Sequence, residues 1–167
     1  ISLRGFHCHV GSQVFDSDVY IRAAEVMLSF TEYIYSTRGY LASELDIGGG
    51  YGVRYVESPP KIDIAANIAE VGAFMTARAK ELGIELPTVA FEPGRSIVAD
   101  AGITLYKVGN VKRIEGYKKY VAIDGGMFDN PRYALYESKY TAILANRANE
   151  ECTEIVTIAG KCCESGD

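Results

Sequence analysis

A thiol beside a carboxylate, Cys163-Glu164, sits in a glycine- and serine-containing stretch that runs from Gly160 to Asp167. A cysteine there can donate a proton, because thiol pKa values are readily tuned into the neutral range, or it can be an inert buried residue. Two upstream stretches carry comparable chemistry. His9-Val10-Gly11-Ser12-Gln13 joins an imidazole to a hydroxyl, and Glu92-Pro93-Gly94-Arg95 joins a carboxylate to a guanidinium. Between them, Gly48-Gly49-Gly50 leaves backbone N–H groups open to an anion, as phosphate sites require, or simply makes a tight turn. Gly94-Arg95 opens a predicted short helix, Ser96 to Ala101, and a helix N-terminus with an arginine suits phosphate. Glu92 ends a predicted buried strand and so needs a partner, either Arg95 in an ion pair or the protonated nitrogen of a ring. His9 is either a satisfied core residue or a stacking surface for a flat cofactor. Asp129-Asn130-Pro131-Arg132, with Tyr136, offers an arginine that can clamp a carboxylate through two parallel bonds, or a plain surface arginine.

The elements that must position these groups alternate in the first half. Leu3 to Val10 is a β-prone run. Val19, Ala23, Val26, Met27, Phe30, Tyr33 and Ile34 recur at helical spacing within residues 17 to 38, with Asp16 or Ser17 as cap and Gly39 as stop. Glu44 to Ile47 is a second strand, stopped by the three glycines. After Pro59-Pro60 a second helix presents Ile64, Ile68, Val71, Met75, Ala79 and Leu82 on one face and ends at Gly83. Thr88 to Phe91 is the third strand. Strands joined by helical crossovers form a parallel sheet, and the loops leaving the strand C-termini open on one side of it. His9, the glycines and Glu92 to Arg95 should therefore converge.

Beyond residue 101 the pattern changes. Ile103 to Val111, Tyr120 to Ile123 and Glu154 to Ile158 are β-prone, with turn residues and no long amphipathic helix between them. That predicts an antiparallel β region, and hence two parts, 1–101 and 102–167.

Composition excludes several function classes. Net charge is −5 over 167 residues, and basic residues are not clustered, which argues against nucleic acid as a partner. Vicinal Cys162-Cys163, with Cys8, Cys152 and two histidines, lacks the spacing of a zinc framework, so no metal is expected and free thiols are. No apolar run approaches the ~20 residues that cross a bilayer. The chain opens on Ile1 and closes on a motif, which is expected of a piece of a larger protein.

Jointly, Gly5-Phe6-His7-Cys8-His9-Val10-Gly11-Ser12-Gln13, Leu45-Asp46-Ile47-Gly48-Gly49-Gly50-Tyr51-Gly52, Glu92-Pro93-Gly94-Arg95-Ser96-Ile97-Val98, Asp124-Gly125-Gly126-Met127 with Asp129 to Arg132 and Ala134-Leu135-Tyr136, and Gly160 to Asp167 resemble the fold-type III pyridoxal-phosphate decarboxylases. Within them, Cys-Glu-Ser-Gly-Asp and Asp-Gly-Gly-Met are similar to the branch acting on diaminopimelate. The resemblance implies an α/β fold: the later part of a pyridoxal-phosphate-binding (β/α)8 TIM-type barrel in residues 1–101, then the beginning of a β-rich C-terminal domain in 102–167. It implies pyridoxal 5'-phosphate as cofactor, with His9 on the ring, Ser12, Gly50 and Pro93-Gly94-Arg95 at the phosphate, and Glu92 at the ring nitrogen. Arg95, Arg132, Tyr136 and Glu164 would hold meso-diaminopimelate, and Cys163 would be the proton donor, shared across a homodimer. A cytoplasmic location follows, and a targeting segment upstream of Ile1 stays open.

The match has departures. No segment resembles the family's Schiff-base lysine motif, which would lie upstream of Ile1, and its late tyrosine would lie downstream of Asp167. The chain alone is therefore expected to be inactive, and insoluble or only marginally folded, because a partial barrel exposes strand edges. Phe128 and Tyr133 stand where a polar residue and a proline are expected, so they bear on specificity. A decarboxylase for ornithine, arginine or carboxynorspermidine, or a non-catalytic homologue, is the alternative.

Overall fold

In the computed structural model, which describes residues 1–57 and 61–167, three strands form a parallel sheet in the order β1 (Gly5–His7), β2 (Glu44–Gly49), β3 (Thr88–Glu92). Two helices return the chain between them, α1 (Asp18–Arg38) and α2 (Ile64–Leu82). The helix ends have local causes. Asp16 accepts from the Asp18 N–H at 3.0 Å, and Asp63 caps α2 by accepting from Ala66 N at 3.0 Å. Gly39 and Gly83 close the two helices in left-handed conformation, as expected from glycine just past the last apolar turn. Ser17 stands at the N-cap of α1 but makes no side-chain cap bond. The Pro59-Pro60 start signal lies outside the described residues.

The helix pattern transferred unevenly. On α2 the predicted face is in the core, with Val71, Met75 and Ala79 buried and Ile64, Ile68 and Leu82 packed against them. On α1 the buried stripe is rotated. Tyr20, Ala23, Ala24, Met27, Leu28 and Thr31 are inside, while the predicted Val26 and Tyr33 are 66% and 58% exposed. The physical reason is hydrogen bonding: Thr31 Oγ1 donates to Met27 O at 2.8 Å, and Tyr20 Oη donates to Gly49 O at 3.4 Å. Two residues that read as polar can therefore be buried.

The strands also differ from expectation. β1 is shorter than Leu3 to Val10, because Leu3 is exposed and Cys8 is already leaving the ladder with one bond to Asp46 O. β2 runs on through Gly48 and Gly49, so two of the three glycines are strand residues rather than its stop. Side chains alternate across the sheet. Phe6, Leu45, Ile47, Val89 and Phe91 pack toward the helices. His7, Asp46 and Glu92 therefore project from the opposite face, where His7 and Glu92 side chains remain 52% and 61% exposed.

Residues Ile1–Gly102 form one compact unit and Ile103–Asp167 a second. The second holds β4 (Val108–Ile114), β5 (Lys118–Ile123) and β6 (Thr157–Ala159). β4 and β5 are an antiparallel hairpin around Gly116, which has φ 70°. β6 pairs with β5 in parallel, so the region is not antiparallel throughout. The reason is the long connection from residue 124 to 156, which carries a short helix, α4 (Arg132–Tyr136), and returns the chain in the same direction. The predicted Ile103 to Val111 strand slides toward the turn, and Glu154 precedes its strand, pairing with Arg113 and Lys119 instead. Among the described residues, no helix is long and apolar enough to cross a membrane.

Candidate active site

The loops after β1 and β2 are stapled together. Val14 N donates to Gly50 O and Gly52 N to Val14 O, and the Gln13 amide bonds both N and O of Val53. Gln13 does this at φ 59°, an unusual conformation for a residue with a side chain. Beneath the loops, Tyr51 stacks on Tyr20 with centroids 4.3 Å apart and donates to Asn67 Oδ1 at 2.9 Å. Burial pushes the Tyr51 phenol up to about 12, so it stays a neutral donor at any working pH.

Gly50 is a site where only glycine fits. Its φ is 95°, and a Cβ there would lie 1.9 Å from Gly11 O and 3.6 Å from the His9 ring. His9 is exposed along this glycine run and is not a core residue. Ser12 is exposed in the stapled loop.

Glu92 has a partner, but not the expected one. His7 Nε2 lies 3.3 Å from Glu92 Oε2, and among the described residues no ion pair joins Glu92 to Arg95. Nor is Glu92 buried, because it projects from the sheet face that the helices leave uncovered. Arg95 Nη1 is buried without a hydrogen-bond partner. An orphaned guanidinium N–H is costly unless an acceptor meets it, and an anion supplies one. The predicted helix Ser96 to Ala101 is a single α turn, α3 (Arg95–Val98), followed by a 3-10 turn. So short an element has little dipole, so any pull on an anion at this turn comes from the charge of Arg95. Backbone cradle, exposed ring and unpaired guanidinium together suit a flat, phosphorylated ligand.

In the second unit, the loop after β5 and the loop after β6 are tied by the last residue of the Cys-Glu-Ser-Gly-Asp motif, to which the motif itself gave no role. The Asp167 carboxylate accepts from the backbone N–H groups of Met127 and Cys162, and Lys161 N donates to Gly125 O at 3.1 Å. Gly126 and Gly160 leave room for it: a Cβ on either would come within 2.6 Å of its oxygens. Spacing could not reveal this, since the two loops are far apart in the chain. The two cysteines separate in character. Cys162 is half-buried, and burial, then the Asp167 charge, push its thiol up, whereas Cys163 and Glu164 are exposed. The Asp129-to-Tyr136 stretch is helical from Arg132. Arg132 lies 5.3 Å from the Tyr136 ring centroid, with its Nε buried and unpartnered. Both departures touch the final loop: Lys161 sits over the Phe128 ring, and Tyr133 lies 4.0 Å from where a Gly166 Cβ would be.

The Met127 N–H, and then the Cys162 groups against the opposing effect of desolvation, hold the Asp167 carboxyl below the usual range. A depressed folded-state pKa stabilises above the unfolded value of about 3.9, and that contribution is lost as pH falls through the folded value. Amide-exchange protection at Met127 and Cys162 should therefore be full at neutral pH and collapse only in strong acid. In Asp167→Ala it should be absent at every pH.

Known proteins resemble this chain along its whole length. A family described as "Pyridoxal-dependent decarboxylase, pyridoxal binding domain" matches residues 1–99. The diaminopimelate decarboxylase of Staphylococcus aureus (strain COL) is 46% identical over the whole chain, and that of Bacillus subtilis (strain 168) 43%. The chain spans 38% of the length of each. A crystal structure of diaminopimelate decarboxylase from M. jannaschii in complex with L-lysine superposes with TM-score 0.83 at 35% identity, covering 96% of this chain and 36% of that one. With the matched segment spanning the glycine cradle and the Glu92-to-Arg95 turn, the chain belongs to the pyridoxal-dependent decarboxylases.

Proposed function

We propose that this chain is part of an enzyme that decarboxylates meso-2,6-diaminopimelate to L-lysine and CO2, using pyridoxal 5'-phosphate, as a cytoplasmic homodimer. Residues 1–101 are read as later strands and helices of a (β/α)8 barrel and 102–167 as the start of a β-rich domain. The observation that carries this reading is the similarity along the whole chain to relatives of that activity. The exposed His9 and Glu92, and the buried, unpartnered Arg95 Nη1, support it.

The bound cofactor supplies an electron sink for the pair left behind when CO2 departs. The protein's part is to orient and to move protons. His9 packs against the ring; Ser12, Gly50, Pro93-Gly94 and Arg95 hold the phosphate; Glu92 keeps a proton on the ring nitrogen, which deepens the sink. Arg95, Arg132, Tyr136 and Glu164 bind the substrate's carboxylates and distal amine. A distal carboxylate suits the unpartnered Arg132 Nε, which a substrate ending in an amine alone would leave unsatisfied. Cys163 of one subunit delivers the proton from Sγ in the other subunit's pocket. CO2 release by the complete enzyme from meso-diaminopimelate, set against L-ornithine and L-arginine, tests the reading. Release from diaminopimelate alone is expected, and release chiefly from either other amino acid would overturn the substrate.

A further inference from the structure

We propose that His7 is a positioning residue for the cofactor's ring nitrogen, acting through Glu92; the inference rests on Glu92 being the partner of that nitrogen. Three neighbouring strands bring three titratable side chains to one place. His7 is in register with Asp46 across β1 and β2. Between Asp46 and Gly49 the β2–β3 pairing shifts, so that Gly49, not Gly48, stands opposite Glu92. That bulge re-aims the end of β3. It is possible because position 49 has no side chain: a Cβ there would lie 1.8 Å from Glu92 O. The outcome is a His7 Nε2 to Glu92 Oε2 distance of 3.3 Å, with one ligand-capable atom from each of His7, Asp46 and Glu92 within 4.8 Å of the others.

An imidazole N–H donated from His7 to Glu92 Oε2 fixes the rotamer of that carboxylate and leaves its other oxygen for the ring nitrogen. Asp46 is already committed, accepting from Gly48 N at 2.8 Å, which leaves His7 to Glu92. Arg95 does not take this role, since its Nη1 is unpartnered and no ion pair links it to Glu92 among the described residues. His7 thus orders Glu92 while leaving Arg95 free for the phosphate.

The test uses the complete enzyme loaded with cofactor labelled with nitrogen-15 in the ring, whose NMR shift reports ring protonation directly. In His7→Phe the resonance should move toward the unprotonated position. Its kcat should fall on the order of 10- to 100-fold, the size seen when an outer partner of a functional ligand is removed, with KM little changed. His7→Gln keeps an N–H donor and should restore most of both. Asn, too short to reach Glu92, replaces Phe should the aromatic variant not fold. An unmoved resonance and unchanged kcat in the Phe or Asn variant, while Glu92→Gln does move the resonance, would reduce His7 to an exposed ion-pair partner and overturn the proposal. If Glu92→Gln itself leaves the resonance in place, the underlying reading of Glu92 fails, and the role of His7 falls with it.

Discussion

Replacing Cys163 by Ala in the complete enzyme should lower kcat by about 10²- to 10⁴-fold, the usual contribution of a positioned proton donor. The cofactor's absorbance and the KM should change little, because Cys163 is exposed. The neighbouring thiol provides the contrast. Cys162 is half-buried, its N–H bonds Asp167, and its thiol is pushed up by burial and by that carboxylate. A raised pKa makes it a poor partner for reversible proton exchange at neutral pH. Cys162→Ala should therefore retain most activity. Steady-state kinetics on both variants separates them, and comparable losses at both positions would show that the loop, rather than one thiol, had been damaged.

The second large effect is expected at Gly50. Alanine there must adopt φ 95°, a strained conformation for an L side chain that costs about 1–3 kcal/mol. It must also push back the Gly11 carbonyl, which lies 1.9 Å from the new methyl position. Overpacking of this kind adds about 1–3 kcal/mol. Because Gly50 O also anchors Val14 N, the strain spreads directly into the His9-to-Gln13 loop. The complete enzyme carrying Gly50→Ala should lose bound cofactor on dialysis and unfold at lower temperature. Gly72→Ala is the matched control. Position 72 lies within α2 with nothing within 4 Å of a new Cβ, so alanine should stabilise by about 0.5–1 kcal/mol. Retention of cofactor at wild-type level by Gly50→Ala would mean that the loop yields, and that the cradle is not built on that close approach.

Much of this was legible in one dimension. Helix periods and stops located α1 and α2 because left-handed glycines at 39 and 83 leave a chemical mark in the chain. Alternating strands and helices implied a parallel sheet, which β1, β2 and β3 form. That in turn placed His9, the glycines and Glu92 in the loops and strand ends of one side. Short motifs in family order were enough to recognise the decarboxylases, since each motif serves a local backbone need.

Tertiary structure decided what depends on partners distant in sequence. The inward stripe of α1 could not be read from hydrophobicity, because Tyr20 and Thr31 are buried through bonds to Gly49 O and Met27 O. Strand order and register, not spacing, gave Glu92 the partner His7 instead of Arg95. The parallel seat of β6 came from the path of the long connection before it. Asp167, unremarkable as a residue type, became a staple only when two loops met around it. Backbone preference and side-chain period are properties of neighbouring residues, so the sequence determined the elements and the chemistry available. Pairing is a property of the folded surface, and only the fold determined which group each side chain serves.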